Sequence, residues 1–208
     1  MKKVLFIALM AIFAVNASAQ DIAFSVNAGV GMANFYGDGT DESDAKFAYK
    51  VGVGMEVPFT EMWSLQTGLN FVSKGAKGDL EGVADTKINA LYLELPVMAG
   101  VRFAAGNDFN VLLKAGPYLA YGVGGKIKTE ATTGADIIDD NAKGEVDTFG
   151  DNTMKRFDAG LGCGVSFEFS EFVIGLDGHF GLTNIAQKSG DGFSPKNISA
   201  FLTLGYRF

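Results

Sequence analysis

Eight segments of this 208-residue chain place apolar side chains at every second position, with polar or small residues between them. Side chains of a β-strand alternate between two faces, so a period of two predicts strands with one apolar face. In the first segment, over 24–32, Phe24, Val26 and Val30 alternate with Ser25. The other segments are 49–57, 63–74, 91–103, 111–123, 157–168, 172–183 and 198–208. The sequence therefore predicts an all-β chain.

The predicted strands and their connections have lengths typical of a membrane barrel. A strand tilted across a bilayer needs about 9 to 11 residues, whereas strands of globular proteins average about 5 to 6. Short and long connections alternate along the chain, at 34–46, 58–62, 75–86, 104–109, 125–155, 170–171 and 187–196. Bacterial outer-membrane barrels have short turns in the periplasm and long loops outside. We therefore predict an eight-stranded antiparallel up-and-down transmembrane β-barrel with both termini on the periplasmic side.

Charged residues are absent from the apolar rows of these segments. A Lys or Arg that faces lipid at the bilayer midplane costs about 2–4 kcal/mol, so a lipid-facing row must be uncharged. The alternative is a soluble barrel of the lipocalin type, in which the polar row faces water. The polar rows are rich in glycine, which weakens a strand unless close packing requires it. A narrow lumen filled with long side chains provides that packing, which favours the membrane barrel.

The N-terminus has the pattern of a cleaved secretory signal over residues 1–19. Lys2 and Lys3 precede an apolar run over 4–15, and residues 17–19 (ASA) have the small side chains that signal peptidase reads. The alternative, a membrane anchor, is disfavoured because this run is too short to span about 30 Å as a helix. Cleavage leaves residues 20–208 as one outer-membrane domain. The net charge of −7 disfavours nucleic-acid binding, which needs a basic patch.

The polar rows carry charges of both signs, which we assign to the lumen at three levels. In order from the long loops to the short turns, these levels hold Lys50, Lys74 and Asp158; then Glu94, Lys114, Asp177 and His179; then Glu56, Arg102, Glu168 and Arg207. Buried charges must be paired, so we interpret the set as a structural salt-bridge network. The alternative is a gated polar path, although eight strands leave an interior that side chains fill.

The sequence offers few candidates for catalysis or cofactor binding. Asp177 and His179 share one strand face and suggest an acid–base pair, but His179 lies in the middle of the lumen and no serine or second carboxylate is clearly placed to complete a triad. We therefore predict no enzyme activity. Cys163 falls on a lipid-facing row, where a thiol is a small apolar group. One His and one Cys predict no metal-ligand cluster, and we expect no cofactor.

The long connections are acidic. Loops 34–46 and 125–155 contain Asp38, Asp41, Glu42, Asp44, Glu130, Asp136, Asp139, Asp140, Glu145, Asp147 and Asp151. Clustered carboxylates are able to bind Ca²⁺, but the spacing fits no EF-hand and lysines are interspersed. We interpret these loops as a solvated, flexible surface, with binding of a protein partner left open.

Two prolines and the aromatic residues give further expectations. Pro96 and Pro117 lie within neighbouring strands of a barrel without edges, which predicts a bulge or a break in the ladder. Aromatic residues cluster near both ends of the strands, as in the two interfacial girdles of membrane barrels. They are Trp63, Phe103, Phe109, Phe169, Phe172, Tyr206 and Phe208 near the short turns, and Phe47, Tyr49, Phe71, Tyr121 and Phe157 near the long loops.

Four segments resemble the PorT-like family of outer-membrane β-barrel domains. They are 91–97 (LYLELPV), 114–121 (KAGPYLAY), 156–162 (RFDAGLG) and 204–208 (LGYRF). The resemblance implies an eight-stranded barrel, and its terminal aromatics Tyr206 and Phe208 are similar to the signal that outer-membrane assembly machinery reads. It implies no single activity, since some members serve protein secretion and many have no assigned role.

We predict a structural or interaction protein of the Gram-negative outer membrane. Its expected partners are the lipid bilayer, the assembly machinery and an unidentified extracellular or envelope protein. The alternatives, in order, are a narrow porin-like solute channel, an accessory to secretion or envelope assembly, and a barrel enzyme.

Overall fold

The computed structural model describes residues 22–40, 43–80, 84–106, 108–131, 143–150, 153–187 and 193–208. The predicted signal over 1–19 lies outside these ranges. The described chain forms eleven strands: β1 (Ala23–Tyr36), β2 (Ser43–Asp44), β3 (Lys46–Pro58), β4 (Trp63–Lys74), β5 (Lys77–Leu80), β6 (Ala84–Ala104), β7 (Phe109–Ala131), β8 (Lys143–Asp147), β9 (Phe157–Phe169), β10 (Phe172–Gly181) and β11 (Lys196–Arg207). Within these ranges no helix is long and apolar enough to cross a membrane.

Eight long strands close into an antiparallel barrel in the order β1, β3, β4, β6, β7, β9, β10 and β11. Each pairs with its neighbours, and β11 returns to β1 with Arg207 opposite Ser25 and Lys196 opposite Tyr36. The predicted eight-stranded up-and-down barrel is confirmed. The short turns and the C-terminus share one end, which is periplasmic by the general rule for these barrels.

The outward and inward faces of the barrel have opposite chemistry. Outward side chains are apolar and exposed, as Leu204 (63% exposed) and Met32 show, whereas inward Lys74 is fully buried. The aromatic residues expected to form two girdles include the outward-facing Trp63 and Phe157. A barrel of the lipocalin type would have the reverse arrangement, so that alternative is wrong. The outer surface is suited to lipid, and every barrel strand is long enough to cross it.

Strands β6 and β7 extend beyond the bilayer and pair with short strands outside it. Lys77 of β5 lies opposite Lys87 of β6, and Lys126 of β7 lies opposite Asp147 of β8. The interpretation of 75–86 and 125–155 as long loops was therefore wrong for these parts, which form strands. Beyond Leu91 the backbone pairing of β6 with β7 continues, with Ile88 opposite Ile127. Ile88 packs inward against a cluster of buried residues.

The ladder is interrupted at the two prolines, as predicted. Pro96 pairs with Tyr118, but the next pair along β6 and β7 is Ala99 with Ala115. The carbonyl of Pro96 accepts a hydrogen bond from Thr67 Oγ1 at 2.8 Å. A separate register shift follows Leu91, so the break and the bulge lie at different heights on the same strand pair.

Candidate functional site

Long side chains cross the narrow lumen because inward-facing glycines leave room for them. A Cβ at Gly160 would lie 2.7 Å from the Tyr118 ring, and one at Gly164 would lie 2.8 Å from Lys114 Cε. Backbone is thus brought directly against the crossing side chains. The structure places all eleven of the charged or histidine residues assigned to the lumen on this inward side, in three clusters.

The first cluster, which we call the upper cluster, lies nearest the long connections and centres on Lys74. Its Nζ lies 2.8 Å from Glu94 Oε2 and 3.3 Å from Asp158 Oδ2. It also lies 4.1 Å from the centre of the Tyr118 ring, and His179 Nδ1 lies 3.0 Å from Glu94 Oε1. These side chains are almost completely buried, so each charge depends on its partners for stability.

Asp158 is the best-satisfied acceptor of the upper cluster. Thr183 Oγ1 donates to Asp158 Oδ1 at 2.8 Å, and Asn197 Nδ2 donates to Oδ2 at 3.0 Å. Tyr118 Oη donates to the same Oδ2 at 3.3 Å. Tyr118 is on β7, Asn197 is on β11 and Thr183 follows β10, so these donors come from strands close to β9. The ion pair of Asp158 with Lys74 of β4 is the contact that crosses the lumen.

The middle cluster consists of Asp177 between two lysines. Lys50 Nζ donates to Asp177 Oδ2, and Lys114 Nζ lies 2.9 Å from Oδ1. Asp177 is therefore held by lysines, whereas His179 pairs with Glu94 of the upper cluster. The suggested acid–base pair of Asp177 and His179 is wrong, because the two side chains turn to different partners.

The lower cluster, near the short turns, centres on Arg102. Its guanidinium lies 2.6 Å from Glu56 Oε1 and 2.7 Å from Glu168 Oε2. Arg207 lies 3.7 Å from Glu56 and 3.8 Å from Glu168, more loosely held. These four residues are the set expected at this level. Two residues of the expected middle level, Glu94 and His179, instead join the upper cluster, and Lys50 reaches down to the middle one.

A polar cavity of about 120 Å³ lies in the lumen below the upper cluster. Its lining includes Asn27, Gln66 and Asn70 together with charged groups of the middle and lower clusters. The cavity fits a few water molecules beside the charges. It is a pocket of the periplasmic half.

The extracellular mouth is closed by an apolar cluster that the sequence did not reveal. Phe149 is buried against Gly122, where its ring occupies the space a Cβ would need, and it meets the Tyr92 ring edge-on at 5.3 Å. Met154 and Ile185 are also buried in this cluster. We call it the mouth plug, defined by Ala90, Tyr92, Tyr118, Ala120, Phe149, Met154 and Ile185.

The segment after β8 is held in place by hydrogen bonds. Thr148 Oγ1 donates to the Asn89 carbonyl at 2.8 Å, and Arg156 Nη1 donates to the Gly122 carbonyl at 3.0 Å. The interpretation of this part of 125–155 as a solvated, flexible surface was therefore wrong. The signal was present in Phe149 and Met154, two apolar residues within an acidic loop.

The structure describes only some of the acidic loop residues for which Ca²⁺ binding was considered. Asp41, Glu42, Asp136, Asp139, Asp140 and Asp151 lie outside the described residues. Among the residues that are described, no three His, Cys, Asp or Glu side chains are grouped to hold a metal. Glu145 accepts a hydrogen bond from Lys126, which lowers the pKa of its carboxyl. Cys163 is exposed on the lipid-facing surface, and its sulfur is free.

A family model described as outer membrane protein beta-barrel domain matches residues 17–187. No curated protein matches the sequence significantly.

Similar solved structures include the attachment invasion locus protein Ail of Yersinia pestis, with 16% identity, 91% of this chain and 100% of that chain covered, and a TM-score of 0.41. Neisserial surface protein A has 13% identity, coverage of 90% and 98%, and a TM-score of 0.49. OprG of Pseudomonas aeruginosa has 13% identity, coverage of 89% and 95%, and a TM-score of 0.42. Likeness at this level carries no functional argument.

Proposed function

Because this chain belongs to the outer membrane protein beta-barrel domain family, we propose that it is a cell-surface interaction protein. Its barrel lies in the cell outer membrane and inserts in the lipid bilayer. In our proposal the barrel is an anchor, and the sheet formed above it by β2, β5, β6, β7 and β8 is the surface that contacts another macromolecule. The family alone allows other roles, so the proposal depends on the shape of this chain.

The observation that carries the proposal is the length of β6 and β7. They have 21 and 23 residues, whereas a bilayer requires about 9 to 11. With β2, β5 and β8 they make a five-stranded sheet outside the membrane. The mouth plug fixes its inner face, since Ile88 packs against the plug. A stiff exposed sheet loses little conformational entropy on binding, which favours a docking surface.

A channel is less well supported than an interaction role. The mouth plug and the upper cluster both lie across the lumen between the exterior and the polar cavity. We likewise propose no enzyme activity, since the acid–base pair considered from the sequence does not form. The lumen charges are proposed as a structural network that fastens the walls.

The resemblance to PorT-like proteins adds a variant of the same proposal. In that variant the partner is another envelope protein of a secretion or assembly system, contacted from the periplasmic side.

We also propose that residues 1–19 are the export signal and that Tyr206 and Phe208 are read by the assembly machinery. In support, these two rings pack edge to face at 5.1 Å on the outer surface of β11, where lipid and membrane proteins have access.

Site-specific photocrosslinking in intact cells tests the proposal. A photoreactive residue replaces Val146 on β8, which is 54% exposed outside the membrane, or Phe59 in a periplasmic turn, which is 60% exposed. Leu204 on the lipid-facing wall is the matched control for diffusive contacts. We expect a discrete protein adduct from Val146, identified by mass spectrometry.

The three positions separate the alternatives. An adduct from Phe59 alone contradicts the cell-surface proposal and supports the envelope-accessory variant. Adducts that are the same at Val146 and Leu204 indicate random neighbours and contradict both.

A further inference from the structure

The middle cluster carries more positive charge than its carboxylate compensates. Lys50 of β3 and Lys114 of β7 both pair with Asp177 of β10, and neither lysine has a second ion pair among the described residues. Two ammonium groups and one carboxylate leave a net charge of +1. The lower cluster supplies no counter-charge, because its two arginines already balance its two glutamates.

The carboxylates of the upper cluster do not compensate this charge either. Glu94 and Asp158 both bind Lys74, and neither lies within 4.0 Å of a lysine of the middle cluster. Glu94 also binds His179, and Asp158 accepts hydrogen bonds from three neutral side chains. Both carboxylates are therefore engaged above the middle cluster.

The lysines of the middle cluster also have N–H groups without an acceptor. An ammonium group has three donors. Lys50 Nζ donates to Asp177 Oδ2, Lys114 Nζ lies 2.9 Å from Oδ1, and the described residues offer no further acceptor to either. The buried Lys46, by contrast, reaches three oxygen acceptors. Since Lys50 is only 6% exposed, its remaining N–H groups need partners inside the lumen.

The polar cavity is the space in which such a partner fits. Both lysines line this cavity of about 120 Å³, together with Asp177 and Asn27. The volume holds one small anion and a few water molecules. Asn27 Oδ1 is buried without a described hydrogen-bond partner, and a water molecule beside the anion supplies one. The cavity therefore has donors for an anion and an acceptor for the water that hydrates it.

The cavity is open to anions from the periplasmic side. Its lining extends to Arg207, whose side chain is 37% exposed near the short turns. The guanidinium of Arg207 lies 3.7 Å from Glu56 and 3.8 Å from Glu168, so it is loosely held and presents positive charge at the entrance. The upper cluster and the mouth plug lie across the lumen on the extracellular side.

We propose that the polar cavity binds one small monovalent anion of the halide class, such as chloride, between the ammonium groups of Lys50 and Lys114. A single negative charge matches the excess charge of the middle cluster, whereas a divalent anion would leave a negative charge buried without a partner. Lys50 and Lys114 stand on strands that are not neighbours in the barrel, so the anion adds a link across the lumen.

Chloride-dependent stability tests the proposal on the purified protein folded into lipid vesicles. Urea unfolding is measured at constant ionic strength while chloride replaces gluconate, an anion too large for the cavity. One bound chloride raises the folding equilibrium constant by a factor of 1 + [Cl⁻]/Kd, about 100-fold at 100 times Kd. We expect the unmodified protein to show this rise at chloride concentrations up to about 0.15 M, the physiological ionic strength.

Variants of the middle cluster have opposite expected results. K114M leaves Lys50 and Asp177 as a neutral pair, so we expect it to bind chloride about 10- to 100-fold more weakly, the value of a hydrogen bond to a charged group. D177N raises the net charge of the cluster to +2, so chloride should stabilise this variant more than the unmodified protein. K155M removes an exposed lysine and is the control, expected to respond like the unmodified protein.

Bromide anomalous diffraction from crystals locates the ion. We expect a peak in the cavity of the unmodified protein, within hydrogen-bond distance of both Nζ atoms, and no peak in K114M. The proposal is overturned by the absence of a chloride effect, by an equal effect in K114M, or by weaker stabilisation of D177N. A bromide peak without chloride-dependent stability would be an adventitious ion only. Heat-dependent gel mobility confirms that each variant is a folded barrel, so a loss of binding is not a loss of fold.

Discussion

At the residue scale, Lys74 is the side chain on which the lumen depends most. It is fully buried, and its removal leaves the carboxylates of Glu94 and Asp158 without their cation. Breaking a buried ion pair on one side costs about 3–5 kcal/mol. We expect K74M to lower the free energy of unfolding by that amount, measured by urea titration in lipid vesicles. K155M, which removes an exposed lysine, is the control, and equal stability of the two variants would contradict a pairing role for Lys74.

The sequence predicts the face of each charged residue but not its partner. Period-two alternation is a property of one strand, so it assigns Lys50, Lys74 and Asp158 to the same side and the same level. The ion-pair partner of each charged residue depends on which other strand its side chain reaches across the lumen. A lysine spans about 6 Å, so Lys50 reaches down to Asp177, while Glu94 and His179 turn toward Lys74.

At the scale of the element, the segment after β8 is held in place by the packing of Phe149 against Gly122 of β7. Gly122 leaves room for the Phe149 ring, whose atoms lie 2.3–2.6 Å from where a Cβ would be. We expect G122V to expel Phe149 and lower stability by about 1–3 kcal/mol, the usual cost of overpacking. G124V is a matched control on the same strand, since nothing lies within 4 Å of its Cβ position.

Protease digestion of intact cells reads out this displacement. Cleavage between β8 and β9 should be faster in G122V than in the unmodified protein, and unchanged in G124V. If G122V is as resistant as G124V, the plug does not depend on Phe149. The sequence missed this element because one buried aromatic within an acidic loop has no periodicity to detect.

At the scale of the whole molecule, eight strands leave an interior that side chains fill, and two layers fill its extracellular half. The mouth plug covers the upper cluster, and Tyr118 belongs to both.

We expect the unmodified protein to show no conductance in planar bilayers. F149A should remain silent, because the upper cluster still spans the lumen. Y118A/F149A removes a side chain from each layer and joins the polar cavity to the exterior, so it should conduct in small steps. F193A, an exposed aromatic of another extracellular connection, is the control. Stable conductance of the unmodified protein would mean that neither layer closes the lumen, and a silent double variant would mean that the charged cluster alone is sufficient to close it.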